Sequence, residues 1–348
     1  MSTDRSSAWH AQRRCGLRVA FAVSIGFTAS VHAGAVLPFL APMFAAQFLL
    51  ASARPLPPAK TIGAALVILA AGVVMMELTR VLGDRPAPFL LLLGLVYFIC
   101  FVMQSTGRGG PAIFLVLIVA ILAPLFGILN NELASSILSI LVTGILSGTA
   151  LMWLAHAVFP EPHGPDEDDV RAIERPPAML HALANTAILL ASVVICLTSD
   201  NLTAAAVIPI TVASLLKQLD IADSARSAFG LVLVNLFGGI LASVAYTLLM
   251  FRPNLLSMFL IVLVTALVLG GRAAARSKDS AMFAGALTTF LIIFGLGVSP
   301  LPGSSAETFA TRIVYVACAL VYALLLAALL WPRAPAPKAL SHTGVLTE

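Results

Sequence analysis

Apolar runs about 20 residues long recur along almost the whole chain, and no other feature limits its fold as strongly. A helix rises about 1.5 Å per residue, so each run matches the roughly 30 Å hydrocarbon core of a bilayer. Twelve such runs lie near 17–34, 36–53, 61–79, 87–104, 111–129, 133–157, 178–199, 201–217, 227–249, 253–270, 281–298 and 308–331. Each is apolar all round and lacks the charged face of a surface helix. Only 10% of the 348 residues are charged and 60% are hydrophobic, with a mean hydropathy of +1.01. Soluble domains carry roughly 25% charged residues. A water-soluble globule is therefore excluded, and with it a cytosolic enzyme or a nucleic-acid binder, despite a pI near 9.1. The fold class this predicts is an all-α polytopic membrane protein.

The basic residues predict its orientation. With the N-terminus in the cytoplasm and twelve crossings, 16 Lys/Arg fall inside and four (Arg80, Arg85, Arg252, Arg312) outside. Such a positive-inside excess predicts that both ends are cytoplasmic. The start of the chain, Arg13-Arg14 before an apolar run ending Val31-His32-Ala33, imitates a cleavable signal peptide. The run is retained in this reading, because it has a counterpart in the second half. Cys15, Cys100, Cys196 and Cys318 lack metal-ligand or disulfide spacing and read as small hydrophobes.

The one long polar stretch, 160–177, is proline-rich and holds six acids. It reads as a solvated cytoplasmic linker between two sets of six helices. The predicted units are an N-terminal tail (1–16), a first repeat (17–159), the linker (160–177), a second repeat (178–332) and a C-terminal tail (333–348). Correspondences support the repeat. Leu37-Pro38 matches Ile208-Pro209, and Lys60 with Gly63 matches Arg226 with Gly230. Arg85-Pro86 matches Arg252-Pro253, Ala112-Ile113-Phe114 matches Ala281-Met282-Phe283, and Phe159-Pro160 matches Trp331-Pro332. The offsets run from 167 to 172. Six is an even number, so the copies enter from the same side; the repeat is parallel, and the place for a substrate lies between the halves. No Walker A sequence, H-E-x-x-H, nucleophile elbow or Cys/His cluster appears. An enzyme is not expected, nor a cofactor or metal.

These residues resemble the fusaric acid resistance / aromatic acid exporter superfamily, in its compact form of bare membrane halves. The likeness rests on Arg13-Arg14-Cys15-Gly16-Leu17-Arg18, on Leu-Pro-Phe-Leu-Ala-Pro at 37–42, on Lys60/Gly63, and on Arg312 through Leu330-Trp331-Pro332. The resemblance implies a bacterial inner-membrane efflux component, driven by the proton gradient, that exports aromatic or other organic acids. It also implies a periplasmic membrane-fusion adaptor and an outer-membrane channel as partners; a homo-oligomer is compatible with it. A passive anion channel, a major-facilitator transporter and a membrane scaffold remain as alternatives.

Ionisable groups inside a bilayer are costly and are functional candidates by default. Arg312, with Phe309 and Tyr315 three residues away on either side, has the chemistry to grip and stack on an aromatic acid. It reads equally as a snorkelling residue or the partner of Glu307 or Glu77. Asp200 and Glu132 lie in tight turns, either as helix caps or as carboxylates loading a proton. Glu77 is read either as an i, i+3 partner of Arg80 or as a buried carboxylate with a raised pKa. His32 is a proton-relay candidate or an interfacial hydrogen-bonding residue. Asn235 is a substrate contact or, like Gln47, an interhelical hydrogen-bonding group. Pro38, Pro42 and Pro209 are expected to kink their helices.

Overall fold

The apolar runs fold as helices, and the computed structural model has no strand among the residues it describes. Those are residues 2–51, 55, 57–106, 110–129, 131–160, 179–198, 207–219, 225–275, 279–299 and, between 314 and 330, the helical residues 314, 315, 318, 319, 321–323, 325–327, 329 and 330. The first half contains α1 (Ser2–His32), α2 (Leu40–Ala51), α3 (Pro58–Leu82), α4 (Pro86–Ser105), α5 (Gly110–Leu129) and α6 (Asn131–Val158). The second contains α7 (Met179–Leu197), α8 (Val207–Leu219), α9 (Ala225–Phe251), α10 (Leu255–Ala273) and α11 (Ser280–Val298). Within α1, α3, α4, α6, α7, α10 and α11 lies a stretch long and apolar enough to cross a bilayer, and the remaining helices carry shorter apolar stretches. The chain is an all-α, multi-pass membrane protein.

Local chemistry sets the helix ends. Proline opens α3 and α4, where the missing N–H is one that a first turn leaves unpaired anyway. Asn254 caps α10, its side-chain oxygen accepting from the Ser257 N–H at 2.6 Å. At the end of α1, Gly34 takes φ +69°. The Gly34 N–H then donates to the Val31 carbonyl and the Ala35 N–H to the Ser30 carbonyl, at 3.0 and 2.9 Å. That pair closes a Schellman cap, which glycine enters without strain. Residues 2–16 are helical and run on into the apolar part of α1. One expectation is corrected here. Pro38 precedes α2, and Pro42 and Pro209 lie in the first turns of α2 and α8, so they start these helices and do not kink them. The linker beyond Pro160 and the tail 333–348 lie outside the described residues.

Packing pairs recur between the halves. α1 packs along α10, and α4 packs along α7. By position in each half these are first-with-fourth and fourth-with-first. Likewise α3–α5 is matched by α9–α11, α1–α2 by α7–α8, α4–α5 by α10–α11, and α2–α11 by α5–α8. The outer surface repeats as well: Leu91, Leu95 and Ile99 on α4 and Leu260, Val264 and Val268 on α10 are all exposed, each pair 169 residues apart. A row of large apolar side chains at a spacing of four on the outside suits lipid.

α5 and α11 form the core. Apart from Val116 and Thr288, every residue from 113 to 125 and from 285 to 297 is buried. With little hydrophobic drive between helices in lipid, close approach rests on small residues. A Cβ at Gly148 of α6 would stand 2.8 Å from the Phe44 Cβ and 2.9 Å from the Ala41 carbonyl oxygen of α2. Gly148→Ala is therefore expected to destabilise the protein by about 1–3 kcal/mol through overpacking. At Gly63, where nothing lies within 4 Å, Gly→Ala should be neutral or stabilise by up to about 1 kcal/mol. Thermal unfolding of both variants in detergent tests the contrast; equal behaviour would contradict the packing.

Candidate functional site: a ring of four helices between the halves

α2, α5, α8 and α11 contact one another in a closed cycle, α2 to α5, α5 to α8, α8 to α11 and α11 back to α2. Two members come from each half, and the two prolines that open α2 and α8 are the repeat-related Pro38 and Pro209. α2 has 12 residues, about 18 Å of helix against the roughly 30 Å a bilayer requires. Non-helical backbone at 33–39 leads into it. Such backbone is tolerated at membrane depth only when protein encloses it. Here Pro38 and Phe39 are buried, Phe39 lies against Gly295 of α11, and the Ser299 hydroxyl donates to the Val36 carbonyl at 2.6 Å.

One break in the core is repaired by a neighbour. Pro124 lies inside α5 and has no N–H for the Ala120 carbonyl four residues earlier. The hydroxyl of Tyr97, a fully buried residue of α4, donates to that carbonyl at 3.3 Å. A phenol thus replaces a backbone donor inside the buried core.

The basic end of the bundle gathers around the start of α1. Arg18, 2% exposed, donates from Nε to the Phe159 carbonyl at 2.8 Å, and Arg14 donates to the Pro160 carbonyl at 3.3 Å. Both cations cover the negative end of α6. Cys15 reaches the Leu49 carbonyl at the end of α2. The backbones of α1 and α10 meet at Gly16 and Gly271. On this side the Lys217 ammonium of α8 sits 4.2 Å from the centroid of Phe114 on α5, and Arg272 lies 5.3 Å from the centroid of Phe283. The two rings belong to the repeat-related Ala-Ile-Phe and Ala-Met-Phe triplets. Gln47 on α2 holds a buried side-chain oxygen with no hydrogen-bond partner among the described residues, as does the Gln104 nitrogen on α4.

Several candidates from the sequence do not meet at this ring. Glu77 is 56% exposed and pairs with Arg80 at 3.2 Å across i, i+3. The expectation of a buried Glu77 carboxylate is therefore corrected: it lies on the outer surface of α3. His32, in the last turn of α1, is exposed, and Tyr315 is half-buried. Asp200, Phe309 and Arg312, and the side chains of Glu132 and Asn235, lie outside the described residues. Lys217 entered the sequence reading only as one of 16 inside charges; its place at the end of an apolar run was the signal. The Tyr97–Pro124 contact was half-signalled by a proline in mid-run.

Residues 15–155 match a family described as "Protein of unknown function (DUF2955)". The match runs from the middle of α1 almost to the end of α6. No curated protein and no solved structure matches the chain. The family carries no described activity, so the exporter resemblance rests on the motifs quoted above.

The carbonyl at Ala120 offers a direct test. Tyr97→Phe should cost about 1 kcal/mol of stability. In a Pro124→Ala background, where the backbone N–H is restored, the same change should be close to neutral. A double-mutant cycle by thermal unfolding reads the coupling; additive effects would contradict the repair.

Proposed function

We propose that the protein is a transporter that moves organic anions out of the cytoplasm, along a path between its two six-helix halves. The observation that carries this is the pair of proline-opened helices, α2 and α8, at corresponding positions in the two halves, both members of the ring between them. In duplicated transporters, short or interrupted helices at matching places point to the binding region. Exchange of the halves turns each of the five packing pairs named above into its counterpart, which supports a parallel repeat about an axis along the membrane normal. Rocking of one half against the other about such a ring opens it to each side in turn.

Export, in place of a passive pore, is supported by the charge pattern. A selective anion channel is lined by basic residues in rings. At this ring the described residues supply one cation, Lys217, whose repeat position 171 residues earlier is Ala46. The basic excess at the α1 end supports a cytoplasmic location for both termini, in an inner membrane. The resemblance to aromatic acid exporters supports a proton gradient as the drive and a periplasmic adaptor with an outer-membrane channel as the onward route. Asp200, which lies in sequence between α7 and α8, is the carboxylate we assign to coupling; Glu77, surface-paired with Arg80, is not assigned to it.

Two measurements test the reading. Reporter fusions at Gly164 and at the C-terminus should both report a cytoplasmic location, and an outside signal from either overturns the topology. In inverted vesicles, a proton gradient should drive accumulation of an aromatic acid. Asp200→Asn should reduce that accumulation at least about tenfold, with expression retained; undiminished uphill transport removes Asp200 from coupling.

A further inference from the structure

We infer that the segment 33–39 and the end of α11 form the outer gate of the path between the halves, closed in this structure by Val36 with Ser299 and by Phe39 with Gly295. This rests on the transport reading above and names the part of the same path that opens on the side opposite the basic end. α1 ends at His32 and α11 at Val298, so both finish at that outer end, one from each half. Three contacts cross between the halves there. The Ser299 hydroxyl donates to the Val36 carbonyl at 2.6 Å. A Cβ at Gly295 would stand 2.7 Å from the Phe39 Cβ and 2.9 Å from its Cδ1. The rings of Phe27 and Phe294 lie 5.3 Å apart, centroid to centroid.

The two sides of this closure differ in how firmly they are held. α11 is regular helix to Val298, and every residue from 289 to 297 is buried. The segment 33–39 is non-helical, and its Ala33, Gly34 and Val36 are exposed. Gly34, at φ +69°, is followed by five non-helical residues. Such a stretch absorbs a change of backbone angles without breaking the hydrogen bonds of a helix, which is what a hinge requires. The Val36 carbonyl draws its donor from the other half. When the halves part, the carbonyl and the hydroxyl both pass to water at the bundle end, so the bond is a weak latch. Gly295 has a separate meaning. A glycine inside a helix weakens it, and Gly34 alone takes positive φ among the described glycines. The use of Gly295 is therefore the close approach of Phe39, a demand made only while the gate is closed. By the repeat offsets of 169 and 171, Ser299 corresponds to Asn130 and Val36 to Val207, so a side chain able to hydrogen-bond follows both central helices in the sequence. The long α1–α10 and α4–α7 contacts keep the halves together while this small closure opens.

The test follows one distance across the gate in the purified full-length protein in lipid nanodiscs. Spin labels go on Val36→Cys and Arg252→Cys, both exposed at that end, with Cys15→Ser and Cys318→Ser removing the thiols that are not buried. Gly295→Ala should shift the population to a longer distance, because the added methyl overpacks only the closed arrangement. Ser299→Ala loses one hydrogen bond and adds no bulk, and should raise the open-to-closed ratio about fivefold. It supplies the second reading if Gly295→Ala does not fold. An unchanged distance distribution in the folded variants overturns the gate. A lock gives the complementary measurement: the Cβ positions of Phe39 and Gly295 are close enough for a disulfide. Oxidised Phe39→Cys/Gly295→Cys should carry benzoate into reconstituted vesicles at least about tenfold more slowly, with the rate restored by reductant. Undiminished benzoate movement through the cross-linked protein removes the gate and leaves transport standing. Distances that shift as expected, in a protein that moves no benzoate even when reduced, remove the transport reading and leave the hinged closure.

Discussion

Hydrocarbon offers no hydrogen bonds, so each backbone N–H and C=O at membrane depth must be paired inside the protein. Most of the departures from plain helix in this fold are answers to that demand. Gly34 turns the chain at the end of α1 and pairs two N–H groups with carbonyls of its last turn. The Ser299 hydroxyl takes up the Val36 carbonyl in the stretch before α2. Tyr97 takes up the carbonyl orphaned by Pro124. Arg18 and Arg14 take up carbonyls where α6 ends. Apart from the local Gly34 cap, each device joins different elements, so satisfying the backbone also fixes which helices are neighbours. The irregular backbone before α2 is exposed at Ala33, Gly34 and Val36 and enters the protein at Pro38 and Phe39.

The same demand explains why the halves interlock. α5 and α11 are lined by buried residues, and the halves pack together through α1 with α10, α4 with α7, and the ring helices. The family match over residues 15–155 covers most of the first six helices. Leu91, Leu95 and Ile99, with their counterparts Leu260, Val264 and Val268, mark the surfaces left for lipid.

Charge is scarce in this chain and its placement is correspondingly informative. Most described cations are exposed at helix ends or cover carbonyls, uses that stabilise a helix terminus whatever the protein does. Lys217, in the last turn of α8, differs in that its ammonium lies over a ring of the other half. Glu77 shows the opposite lesson: a carboxylate that looks intramembrane by position in the sequence sits on the outside of α3, paired with Arg80.

The sequence by itself determined the class of fold, the approximate helix positions and the correspondence of the two halves. These follow from hydropathy and from proline and arginine placement, which act locally along a chain whose solvent is the bilayer. It also marked Pro38 and Pro209 as equivalent, though not as helix starts, since a proline in a first turn and one at a kink read alike without the preceding backbone. Tertiary structure alone decided which apolar runs are central and which face lipid, because runs that are apolar all round carry no amphipathic stripe to orient them. It decided that Tyr97 answers Pro124, that Glu77 is a surface residue, and that Lys217 bridges to Phe114. Those depend on which helices adjoin, and that is settled by contacts between different helices, where periodicity along the chain has nothing to say.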